Sequence, residues 1–200
     1  MIHTISNKIS NLLIEKGLPK ENQAIYSYGC ESFLNLFICN FILVTYSITI
    51  GELQDFLVWV VCFSLLRTFI GGLHMPTHFT CIISSCLLGF VCISFSYLWV
   101  NYYGLGMFLL IPSFIFIYRF TPISHPNHPL TDMQKKHTHV LGCLIYLLLC
   151  ATTYIIYYFS PAFSYDCLTG IYAAVILSVV GKIVQRKEHL WLTHTFSPNY

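Results

Sequence analysis

Charged side chains are what this sequence has least of: they make up 9% of its 200 residues, against about 25% in soluble domains. So little charge cannot solvate a soluble globule, and with 56% hydrophobic residues and a mean hydropathy of +0.68 the chain reads as an integral membrane protein. Internal repeats, low-complexity tracts and a domain linker are also missing. We therefore expect one membrane domain, with a cytoplasmic segment at 1–32, a membrane region at 33–184 and a cytoplasmic tail at 185–200. Residues 1–22 lack the apolar core and small-residue cleavage site of a secretory signal. Cysteine is plentiful, at nine residues, but Cys39, Cys62, Cys86, Cys92, Cys143 and Cys150 fall inside apolar runs, where the thiol acts as a small hydrophobe. We expect no structural disulfide framework, no cofactor and no nucleic-acid partner.

What is there in abundance is apolar sequence of membrane length. Runs at 33–50, 53–70, 79–100, 103–118, 140–159 and 167–184 each approach the roughly 17 to 25 residues that cross a bilayer as helix. The fold class expected is all-α and polytopic, with six transmembrane helices. The second run is the weakest, trimmed by Glu52 and Asp55 and closed by Arg67, and a four-crossing arrangement with re-entrant segments is the alternative. With six crossings all ten Lys and Arg fall on one side, which the positive-inside rule makes cytoplasmic, with both termini inside. All nine His lie there too. The opposite connections lack Lys and Arg, and Trp99, Tyr102, Tyr103, Tyr157 and Tyr158 are placed for an aromatic belt. Ahead of the first run, Ile2, Ile5, Ile9, Leu12 and Leu13 recur at helical spacing beside Lys8 and Lys16, the pattern of an interfacial amphipathic helix. A short helix packed on a cytoplasmic loop gives the same pattern.

The main polar break is Arg67-Thr-Phe-Ile-Gly71-Gly72-Leu-His74-Met-Pro76-Thr-His78-Phe-Thr-Cys81. Arg67 suits the last turn of one helix, where its charge complements the negative end. Gly71 and Gly72 stop that helix, and Pro76 suits the first turn of the next. On an unbroken helix His74 and Cys81 would stand about 10.5 Å apart along the axis, too far for a nucleophile and its base. The break is what allows the imidazole to return over the thiol. An imidazole, a nearby guanidinium and a helix N-terminus are surroundings that make a thiol reactive. The spacing alone carries little, because nine cysteines in 200 residues put one near many histidines by chance. His74, His78 and Cys81 are also spaced as metal ligands, but Pro76 interrupts the helix that would align them and no fourth ligand is evident, so no metal is expected. His125, His128, His137 and His139 read as solvated loop histidines.

Arg67, Gly71-Gly72, His74 and Cys81, at these spacings in a chain of this size and hydropathy, resemble the accessory gene regulator protein B family of bacterial membrane peptidases. The stretch Thr121-Pro-Ile-Ser124-His-Pro-Asn127-His128-Pro-Leu130 is similar to that family's cytoplasmic loop motif. Thr121 stands there for an alanine, and His128 for a lysine whose fixed charge is lost. The resemblance implies a cysteine endopeptidase of a quorum-sensing system that processes the precursor of a cyclic autoinducing peptide. Cys81 is then the nucleophile and His74 its base, with Arg67, Gly71 and Gly72 in support and Ser124, Asn127, His128, Lys135 and Lys136 as candidate precursor-binding residues. It further implies a homodimer in the bacterial cell membrane, with membrane lipid and the precursor peptide as partners and the active site cytoplasmic. A small-solute transporter or channel using the Gly-Gly break is the alternative. Against it, the break lies at the cytoplasmic edge rather than the midplane, and the first three spans do not resemble the last three. A membrane scaffold in which His74 and Cys81 only pack is a third reading.

Overall fold

A computed structural model describes residues 2–73, 75, 77–123 and 131–195, with backbone alone at 2, 3, 24, 25, 28, 78 and 187–195. Among the described residues the chain is helical and forms no strand. The helices are α1 (Ile2–Glu15), α2 (Gln23–Ile50), α3 (Leu53–Ile70), α4 (His78–Phe95), α5 (Trp99–Phe120), α6 (Asp132–Phe159) and α7 (Pro161–Thr195), with short 3-10 turns at Lys20–Asn22 and Ser96–Leu98. Five described helical stretches are long and apolar enough to cross a membrane: Gly29–Ile50, Leu53–Ile70, Phe79–Phe120, Asp132–Phe159 and Pro161–Arg186. This makes the chain a multi-pass membrane protein. Its exposed apolar side chains, such as Phe33, Phe37 and Phe41 on α2 or Leu144 and Leu148 on α6, suit a surface solvated by lipid.

Two compact units divide the chain, residues 1–51 with 75–90 and residues 52–74 with 91–200. In the first, α1 runs antiparallel to the start of α2, as the pairings Ser6 with Ser27 and Ser10 with Gln23 require. The face of α1 turned to α2 is the serine face: Ser6 and Ser10 are fully buried, whereas Ile5, Ile9 and Leu12 of the expected apolar stripe are exposed. Short polar side chains bonded to a neighbouring backbone allow close approach there. Farther along, α2 and α4 meet where Leu43 packs on Gly89 and Tyr46 meets Phe90 edge-on at 4.6 Å between centroids.

The second unit is organised around α7. Its buried side chains, Leu168, Ile171, Ala174 and Val175, pack with Cys62, Leu66 and Ile70 of α3, Leu110 and Ile117 of α5, and Tyr146 and Leu149 of α6. Small residues let backbones touch, which in lipid replaces the hydrophobic drive for helix association. A Cβ on Gly170 would lie 2.9 Å from the Trp59 carbonyl oxygen on α3. Polar tips cross between helices as well: Tyr146 donates to the Leu110 carbonyl (2.7 Å) and the Trp99 indole to Thr169 (3.0 Å). While α3 matches its apolar run and α4 stops short of the end of its own, α2, α5, α6 and α7 outrun the apolar runs that announce them. In particular α6 starts at Asp132, eight residues ahead of the run at 140–159, because Thr131 and Gln134 form a capping box.

Candidate functional site

The expected break is present: α3 ends at Ile70 and α4 begins at His78, so no continuous helix joins Arg67 to Cys81. Gly71 caps α3 with φ of 71° and ψ of −159°, a conformation open in practice to glycine alone. A Cβ there would also strike the backbone oxygen of Ile123. Gly72 lets the Arg67 guanidinium cross it, since a Cβ would lie 2.6 Å from Arg67 Nη1. Arg67 Nη2 donates to the Leu73 carbonyl at 2.8 Å, and the guanidinium carbon lies 5.8 Å from the Phe63 ring centroid. Arg67 therefore does more than complement a helix end: it folds forward over the loop it precedes.

Two further elements hold this loop. On α7, Leu177 accepts from the Leu73 N–H at 2.9 Å and Ser178 Oγ donates to the Gly71 carbonyl at 2.7 Å. After α5, Ile123 donates its N–H to the Ile70 carbonyl at 3.0 Å and pairs with Gly71 in an isolated bridge. The segment carrying Ile123 is tied in turn by Thr121. Its hydroxyl closes onto the Ile117 carbonyl (2.8 Å), and its carbonyl accepts from His139 Nδ1–H (2.9 Å). His139, expected as a solvated histidine, is instead half-buried against Tyr118.

Cys81 belongs to the other unit and stands in the first turn of α4. Thr77 caps that turn, its Oγ1 accepting from the Thr80 N–H at 3.2 Å and its carbonyl from the Cys81 N–H at 3.0 Å. Cys81 is a free, half-buried thiol, near the positive end of the helix dipole.

Of the other candidates, His74, Ser124, Asn127 and His128 lie outside the described residues, as do Pro76, His125 and the side chain of His78. Lys135 and Lys136 are exposed at the start of α6, where Lys135 pairs loosely with Asp132 at 3.7 Å. Among the described residues no group of three or more His, Cys, Asp or Glu side chains is arranged for a metal ion. The α7 contacts were missed by sequence reasoning. Their signal was available as small residues at Gly170, Ala174, Ser178 and Gly181, a spacing that marks a helix face built for close approach.

Comparison with known proteins agrees with this layout. The profile of the accessory gene regulator B family matches residues 6–185. AgrB-like protein 2 of Clostridium perfringens strain 13 is 24% identical over 170 residues, covering 79% of each chain. An AgrB-like protein of C. perfringens strain SM101 is 22% identical over 191 residues, covering 90% of this chain and 86% of the relative. No solved structure matches. With the family profile spanning nearly its whole length, and both parts of the broken helix inside that span, the chain belongs to the accessory gene regulator B family.

Proposed function

We propose that this protein is a membrane-embedded cysteine endopeptidase and cyclase acting on the precursor of a cyclic autoinducing peptide. Family membership supports a role in the accessory gene regulator system. The observation that carries the finer reading is the helix break at Gly71, with α4 restarting at His78 so that Cys81 occupies its capped first turn. His74 follows directly on a residue, Leu73, whose N–H and carbonyl are both bonded.

The chemistry runs in two transfers. Cys81 gives its proton to His74 as the Sγ–C bond forms at a precursor carbonyl. The C–N bond then breaks, and the imidazolium returns that proton to the departing amine of the C-terminal tail. A cysteine thiol of the precursor next gives its proton to His74 and attacks the thioester. The Cys81 Sγ–C bond breaks, Cys81 takes the proton back, and a thiolactone ring is released. No water is consumed, so excluding it protects the acyl-enzyme. Arg67, Gly71 and Gly72 hold the His74 loop. Ser124, Asn127, His128, Lys135 and Lys136 are assigned to precursor binding, the two exposed lysines favouring acidic peptide segments in a salt-dependent way. Six crossings, a cytoplasmic active site and a homodimer complete the proposal.

The test is to co-express the chain with the small cysteine-containing peptide encoded beside its gene and to follow tail release by mass. Wild type is expected to release the tail and to show an adduct on Cys81, whereas Cys81→Ala and His74→Ala fall to background. Equal trimming by all three would remove the dyad.

A further inference from the structure

We infer that Ser178 and Gly181 of α7 are positioning residues for the loop that bears His74, an inference that rests on reading His74 as the base. Neither residue is part of the Arg67–Cys81 motif, and both lie more than a hundred positions beyond Gly71. Two backbone groups of the loop, the Leu73 N–H and the Gly71 carbonyl, are bonded to this face of α7. Leu177, inside a helix, would ordinarily offer its carbonyl only to the N–H four residues on; here it also accepts from Leu73. Gly181 makes that approach sterically allowed. A Cβ at 181 would lie 2.7 Å from both Gly72 C and Leu73 N, so the loop backbone occupies the space a side chain would need.

One turn back, Ser178 is fully buried with two acceptors, the Gly71 carbonyl at 2.7 Å and its own helix's Ala174 carbonyl at 3.0 Å. One hydroxyl proton serves them, and the shorter contact is the one to the loop. Gly71 is held at a φ of 71°, so Ser178 restrains the backbone at the point where the chain leaves α3. The consequence reaches His74 through a covalent bond. Leu73 is fixed at its N–H by Leu177 and at its carbonyl by Arg67, and that carbonyl belongs to the peptide joining Leu73 to His74. Misplacing a base by about 1 Å costs on the order of a hundredfold in rate.

The test uses the full-length protein in membranes and iodoacetamide as probe, with alkylation at Cys81 read by mass spectrometry across pH, alongside tail release. Ser178→Ala, a deletion of one oxygen, is expected to lower the kcat of tail release about three- to tenfold with KM unchanged. It should also slow Cys81 alkylation near neutral pH toward the rate of His74→Ala. Gly181→Ala is expected to go further, about a hundredfold. Thermal unfolding separates loss of folded protein from loss of positioning, and Ser178→Ala carries the test if Gly181→Ala does not fold. Folded Ser178→Ala with wild-type pH dependence in both readouts, while His74→Ala is slow, overturns the positioning role alone. If His74→Ala alkylates at the wild-type rate, the base assignment beneath it fails instead.

Discussion

At the scale of single residues, the loop after α3 is specified by positions where a side chain is forbidden. Gly72 makes the argument concrete. Its missing Cβ leaves room for Arg67 Nη1, which would stand 2.6 Å away, and for the Leu177 backbone, which would stand 3.3 Å away. Gly72→Ala must therefore push the guanidinium off the Leu73 carbonyl. We expect tail release to fall at least about tenfold, with Arg67→Lys giving a similar loss, because a single ammonium cannot both cross the glycine and keep the planar fork's contact with Phe63. Initial rates of tail release from purified variants check this, and wild-type rates for Gly72→Ala would show that the crossing is dispensable. The helix break was legible in the sequence, since paired glycines before a proline are local signals whose backbone meaning does not depend on distant partners, whereas the return of Arg67 across Gly72 was not. The partners themselves were not legible. Ile123 and Ser178 meet the loop only after folding, and nothing in their local sequence refers to Gly71.

Helices are held to one another here by aromatic hydroxyls aimed at backbone carbonyls. Tyr146 is the deepest example, 1% exposed, on α6 and bonded to Leu110 of α5 at 2.7 Å. Tyr146→Phe keeps the ring stacked near Phe114 and removes only the hydrogen bond, which costs about 1 kcal/mol. A lower midpoint in thermal unfolding, by a few degrees, is expected, with tail release unchanged at low temperature; an unaltered midpoint would mean the bond adds nothing net. Hydropathy located the membrane helices, and for α3 both ends, but elsewhere it missed where helices begin. It reports where lipid surrounds the chain, whereas helix ends follow capping: α6 begins at Thr131 with its capping box, well outside the apolar run. The same limit explains α1. Its Ile and Leu spacing was legible, but which face would pack was not, because Ser6 and Ser10 become interior only through Ser27 and Gln23 of α2.

For the whole molecule the deciding quantity is parity, whether the number of crossings is odd or even. Phe79–Phe120 is one helical stretch of 42 residues, about 63 Å at 1.5 Å per residue, twice the roughly 30 Å hydrocarbon thickness. A single straight crossing would leave some twenty apolar residues in water. The chain breaks midway, with the 3-10 turn at Ser96–Leu98 and non-helical dihedrals at Tyr102. Around the break, Val91 and Phe95 from α4, Leu105 and Leu109 from α5 and Thr169 from α7 line a cavity of about 470 Å³. The stretch is therefore expected to cross twice, giving six crossings and both termini on the side that carries the Lys and Arg. Alkaline phosphatase, active only outside the cell, reports this when fused after successive positions. Activity is expected for fusions after Gly51, Tyr102 and Ser160, and none after Leu73, Lys135 or the last residue. A single crossing by Phe79–Phe120 predicts the opposite pattern beyond it: active after Lys135, silent after Ser160 and active at the C-terminus.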